Sequence, residues 1–152
     1  MRKFTLALLI VMLFGLGSAF AQSGYWGGVS FGFPGVNVHF GIEDLTPNFD
    51  LRANLGFSYF GGGFTLGADA LFPLPIQTTA PIDVYAGGGP LIAAGGAAGF
   101  GLGVNVLAGI EYRLIELNFP EGGVFLELGP TLLFVPAFGG GFVGRAGFNY
   151  HF

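Results

Sequence analysis

Apolar residues recur at every second position through eight separate stretches of this chain, and an extended strand is the element that places alternate side chains on one face. The first stretch runs from about Gly24 to Phe33, with Val29, Phe31 and Phe33 on the apolar face. Val36 to Glu43 follows after Pro34-Gly35, and Leu51 to Phe60 after a polar connection that contains Pro47. Three glycines, Gly61 to Gly63, separate it from Phe64 to Phe72. A proline-rich connection leads to Ile82 to Ile92, whose alternation fades at Gly88-Gly89-Pro90. Phe100 to Arg113 has the clearest pattern, and Val124 to Leu133 and Phe142 to Phe152 complete the series.

Every charged residue within these stretches falls on the polar phase. Glu43, Asp69, Asp83, Glu111 and Glu127 alternate with the apolar residues, as do Arg52, Arg113 and Arg145. A soluble sheet turns that face to water and usually carries Lys on it, yet the only Lys is Lys3. Charged residues are 9% of the chain and hydrophobic residues 52%, a balance that suits lipid contact better than water. Thirty Gly and nine Pro punctuate the chain, and no apolar run after residue 21 is long enough for a spanning helix. A closed sheet is the other way to satisfy every backbone group in hydrocarbon. The expectation is therefore an all-β, antiparallel, up-and-down transmembrane barrel of eight strands, with lipid outside and the charges paired within.

Arg2 and Lys3 precede an apolar run from Phe4 to Leu16, and Ala19-Phe20-Ala21 has the small-x-small form of a signal-peptidase site. This predicts a cleaved signal peptide at 1–21 and a single barrel domain at 22–152. A membrane anchor is the rival reading, but the run is short for one.

The series "VYAGGGP" and "VLAGIEYRL", with a last strand ending in Phe, resembles the small outer-membrane barrels related to the OmpA and OmpX transmembrane domains. The resemblance implies an outer-membrane location. It also implies an assembly signal at Arg145, Gly147, Tyr150 and Phe152, read by the barrel insertion machinery. With both termini periplasmic, Asp44 to Asp50, Pro73 to Pro81 and Leu114 to Gly123 become periplasmic connections, and the outer ones are shorter. That reverses the usual arrangement, so either the strand count is off by one or the chain presents little to the outside.

Chemical motifs are sparse. Gly28-Val29-Ser30-Phe31-Gly32 matches the G-x-S-x-G nucleophile elbow but lies inside a strand, where the strand-turn-helix context is missing. Gly99, Gly101 and Gly103 lack the spacing and helix of a nucleotide loop. His39 and His151 are the only histidines and read as polar lumen residues, and there is no Cys. No catalytic residue, cofactor or metal is assigned. The formal charge of −4 grows more negative once Arg2 and Lys3 are removed, which disfavours nucleic acid as a partner. A structural barrel with a paired, plugged lumen is the first reading. A narrow conduit for small solutes or apolar molecules is the alternative, with the Gly88-Gly89-Pro90 break as its hint of a side opening. A barrel lipid hydrolase and a soluble ligand-binding barrel stand further behind.

Overall fold

The computed structural model describes residues 24–46, 48–59, 62–76, 78–95, 99–136 and 138–152, so the signal peptide expected at 1–21 lies outside the described residues. Eight strands follow one another in chain order: β1 Tyr25–Phe33, β2 Gly35–Thr46, β3 Phe49–Ser58, β4 Phe64–Leu74, β5 Ile82–Ala94, β6 Phe100–Arg113, β7 Gly122–Val135 and β8 Gly139–His151. Each pairs antiparallel with the next, and β8 returns to β1 from Trp26↔His151 to Phe33↔Gly144. The result is a closed up-and-down barrel that leaves no sheet edge unpaired.

Period-two alternation assigns every strand one face inside and one outside. Val29, Phe31, Leu55, Phe57, Leu66, Val106, Ile110 and Leu126 are exposed, while Arg52, Asp69 and Glu127 are each 1% exposed. That inverts a water-soluble core, and it is the pattern lipid demands. The outward aromatics form two belts. Tyr25, Phe40, Phe49, Phe72, Tyr112, Phe148, Tyr150 and Phe152 ring the end that carries the termini. Phe31, Phe33, Phe57, Phe64, Phe100, Phe134 and Phe142 ring the other. Between them the surface is Val, Leu, Ile and Ala, the banding of a strand-built membrane span.

So narrow a barrel needs strongly coiled strands, and glycine on the inner wall permits this. At Gly129 an added Cβ would run into the carbonyl oxygen of Val106 on the adjacent strand. Elsewhere the missing side chain is filled from the neighbouring strand: the Trp26 ring lies over Gly41, and the Tyr85 ring over Gly109.

One expectation changes. The alternation of β5 does not end at Gly88-Gly89-Pro90; the strand runs unbroken to Ala94, with Gly88 and Pro90 continuing the outward set. Gly88 pairs with Ala70 on one side and Val106 on the other; the β4 ladder skips Gly89 and Pro90 and resumes in register at Leu91↔Gly67, and the Ala68 carbonyl packs against Gly89, so the two strands stay in contact there. Glycine and proline hid the outward phase because neither registers as apolar. The strand count stands at eight, and the connections at the end away from the termini are Pro34 and residues 59–63, 95–99 and 136–138. The longer connections, 75–81 and 114–121, lie at the terminal end. The chain therefore does present little at the end opposite its termini.

Candidate functional site in the barrel lumen

Two cross-strand pairs begin the site. Arg52 on β3 lies directly opposite Asp69 on β4, and Glu127 on β7 opposite Arg145 on β8, with all four side chains inward. Arg52 Nη2 donates to Asp69 Oδ2 at 2.8 Å, and Arg145 Nε donates to Glu127 Oε2 at 2.5 Å. β3 and β7 are four strands apart in a ring of eight, so these pairs sit on opposite walls. Arg52 spans the gap, its Nη1 donating to Glu127 Oε1 at 2.5 Å, and Arg145 Nη2 stands 3.7 Å from Asp69 Oδ2. The four groups form a closed ring of alternating charge, formally neutral.

Neutral donors complete it. Tyr85 Oη donates to Glu127 at 2.8 Å, while Asn54 and Asn105 donate to the two oxygens of Asp69 at 2.7 and 2.8 Å. Each carboxylate thus receives bonds from at least three residues, which is what an ion pair removed from water requires. The Trp26 ring faces the Arg52 guanidinium with its centroid 5.8 Å away.

A second cluster lies toward the termini. His39 Nε2 and Asn149 Oδ1 are 2.7 Å apart, and Asn149 Nδ2 donates to Glu111 Oε2 at 2.6 Å. His151 stands between two carboxylates, with Nε2 2.7 Å from Glu111 and Nδ1 2.5 Å from Glu43. Arg113 makes no ion pair with a carboxylate; it donates to the Pro120 carbonyl at 2.9 Å and lies 3.2 Å from His151 Nδ1. Asp83 is exposed and, among the described residues, makes no hydrogen bond or ion pair. The single network expected from Glu43, Arg52, Asp69, Asp83, Glu111, Arg113, Glu127 and Arg145 is therefore two, with Asp83 and Arg113 outside the ion pairing. Both sit near the terminal rim, where Asp83 meets solvent and Arg113 is half-buried beside His151.

The ring separates two cavities. One, of about 280 Å³, opens away from the termini and is lined by Gly56, Thr65, Leu91, Thr131 and Leu133 above a floor of Asp69, Glu127 and Arg145. The other, of about 430 Å³, lies at the terminal end among Trp26, Glu43, Asp50, Tyr85, Glu111 and His151.

Sequence reasoning missed Trp26, Asn54, Tyr85, Asn105 and Asn149. Their signal was their phase, since each falls on the polar face of its strand. The serine of the G-x-S-x-G match, Ser30, is fully buried in β1, and its hydroxyl has no hydrogen-bond partner, so no histidine is bonded to it. Gly101 and Gly103 sit on the inner face of β6, which continues as strand to Arg113, and the only helical turn beyond it among the described residues is a 3-10 turn at Leu114–Leu117, too far along to follow a nucleotide loop. Among the described residues no group of three or more His, Asp or Glu is placed to hold a metal ion.

The four residues of the expected assembly signal divide between the faces of β8. Arg145 belongs to the ring, and Gly147 lies inward beneath the Phe125 ring. Tyr150 and Phe152 point outward with ring centroids 5.1 Å apart, and the Phe152 amide donates to the Tyr25 carbonyl at 2.7 Å.

No protein-family model matches the chain, and no curated protein sequence does. Solved structures do. The N-terminal β-barrel domain of Pseudomonas aeruginosa OprF superposes with a TM-score of 0.60 at 16% identity, over 86% of this chain and 96% of that one. Neisserial surface protein A superposes with a TM-score of 0.56 at 14% identity, over 86% of this chain and 94% of that one. Both are outer-membrane barrels, and the fold described above is theirs. At such identities the likeness concerns the fold.

Proposed function

We infer that this chain is a structural barrel of the outer membrane, exported by the leader at 1–21, with a lumen closed by its own charges and a role in membrane integrity. The observation that carries the reading is the bridge from Arg52 to Glu127 across the barrel. Buried charges held by several donors on different strands move only if the strands move with them, so the ring favours a closed lumen over a water column. The lipid-suited outer face, the paired aromatic belts and the likeness to outer-membrane barrels support the location. Lipid is its standing partner, and the insertion machinery is its partner during assembly, through Arg145, Gly147, Tyr150 and Phe152. No catalytic role is assigned.

The test is electrical and biochemical together. The refolded chain in a planar bilayer should show no steady single-channel current. In cells it should fractionate with the outer membrane and migrate differently in gels with and without boiling, because opening a closed barrel exposes rows of backbone groups. A reproducible wild-type current would replace this reading with the conduit, which the two cavities on either side of the ring would then serve. Recovery as a soluble, heat-insensitive species would end both.

A further inference from the structure

The cavity away from the termini differs in chemistry from the rest of the lumen. Residues 24–42, 53–68, 84–110 and 128–144 contain no Asp, Glu, Lys or Arg, so no charge lies on the walls, rim or connections of that half. Leu91, Ala93, Leu133 and Val143 line the walls with the neutral Asn37 and Thr65, glycines widen them, and the outward-facing Phe33, Phe57 and Phe142 edge the mouth. Such a mouth has nothing to attract an ion and much to hold a hydrocarbon.

The floor is not apolar, and one of its atoms is unspent. Asn54 is 8% exposed and lines the cavity. Its Nδ2 donates to Asp69 Oδ2, which fixes the amide orientation, and its Oδ1 has no hydrogen-bond partner. A buried acceptor without a donor is costly, and a donor supplied from the cavity would satisfy it. On the facing wall the Thr131 hydroxyl is also buried without a partner. The carboxylates of the floor already hold their donors, so a cation finds no free acceptor there. An incoming carboxylate would meet Asp69 and Glu127, and Arg145, the cation of that floor, is already paired with Glu127 in a ring of no net charge.

We propose that this cavity binds a small uncharged amphiphile, a hydrocarbon body carrying one hydroxyl, with the hydroxyl donating to Asn54 Oδ1 and the body lying between Leu91 and Leu133 toward the aromatic mouth. Size agrees with the class. An apolar cavity of about 150 Å³ accommodates benzene, so 280 Å³ accommodates roughly twice as many heavy atoms, the scale of a medium-chain alcohol. The inference rests on the barrel geometry and not on the structural role, so a conducting wild type would overturn that role and leave this site standing.

The probe is 1-octanol, titrated into the refolded methyl-labelled chain in bilayer nanodiscs and followed by NMR. The expected result is saturable binding, with octanol protons close to the inward methyls of Leu91, Leu133 and Thr131. Heptyl methyl ether, an isomer without the donor, should bind at least tenfold more weakly, and so should octanoate. Gly141→Leu adds bulk to the cavity lining at a position where an added Cβ meets nothing within 4 Å, and it should weaken octanol at least tenfold while leaving the heat-dependent gel shift intact. Contacts confined to outward methyls such as Leu66 and Val106, or binding unchanged in a folded Gly141→Leu chain, would overturn the site. Equal binding of the ether would overturn the role of Asn54.

Discussion

Arg52 and Glu127 are joined across the full width of the barrel, from β3 to the strand opposite it, by a hydrogen bond of 2.5 Å. Neighbouring strands are already held by their ladders. A bond between opposite walls acts differently, because it resists flattening of the barrel and occupies the axis. Each end is itself anchored to a registered neighbour, Arg52 to Asp69 and Glu127 to Arg145.

Removing one member should therefore cost more than removing two. Arg52→Met leaves Glu127 and Asp69 with fewer donors in a buried site, a loss on the order of 3 to 5 kcal/mol, less where lumen water screens it. Arg52→Met combined with Glu127→Gln should recover part of that loss. The readout is the temperature at which the folded gel form disappears. If the double variant falls by the sum of the two single losses, the pair is not coupled.

Arg113 supplies the contrast. It carries the same charge but pairs with no carboxylate, and its principal bond is to the Pro120 carbonyl near the rim. Arg113→Ala should shift stability by no more than about 1 kcal/mol, the scale of an exposed interaction. A loss equal to that of Arg52→Met would mean that the terminal cluster, and not the ring, holds the barrel together.

Conductance divides the same way. Arg52→Ala together with Glu127→Ala removes the bridging side chains and joins the two cavities, so a current absent from the wild type should appear. Arg113→Ala should not produce one. A silent double variant that still shows the heat-dependent gel shift would mean that Trp26, Tyr85 and Phe125 close the lumen without the ions.

Glycine positions are predicted by what faces them. Gly129→Ala drives a Cβ into the Val106 carbonyl, and backbone cannot rotate away, so a loss of about 1 to 3 kcal/mol is expected. Gly141→Ala meets open space and should be neutral or stabilising by about 0.5 to 1 kcal/mol. Urea midpoints of refolded protein test both. Equal effects would remove strand coiling as the reason for glycine on the inner wall.

The barrel was legible because lipid and lumen impose opposite chemistry on alternate residues, and Phe100 to Arg113 shows this without interruption. β5 was partly hidden because Gly88 and Pro90 face lipid without a hydrophobic side chain to mark the phase. The ring was legible as a set of charges but not as a ring. Alternation places Arg52 and Glu127 inside, yet their meeting depends on closure, which brings together residues 75 positions apart. Asp83 and Arg113 share the inward phase but lie near the rim, and depth along the axis is not encoded in a period of two. Asn54 and Tyr85 went unnoticed because a search for charges passes over the neutral donors that buried charges need.

β8 serves two purposes at once, and the last prediction separates them. Its inward residue Arg145 belongs to the ring, while Phe152 is 75% exposed on the outer surface, touching Tyr150 and bonded to Tyr25 only through its backbone. A side chain so placed contributes lipid contact but little packing. Changing it to Ser keeps the backbone bond and should leave refolding of purified protein into detergent nearly unchanged. In cells the same change should reduce insertion several-fold, because the resemblance makes Phe152 part of what the insertion machinery reads. Equal loss in both assays would make Phe152 a packing residue. Normal insertion in cells would remove its recognition role and leave it as one more member of the aromatic belt.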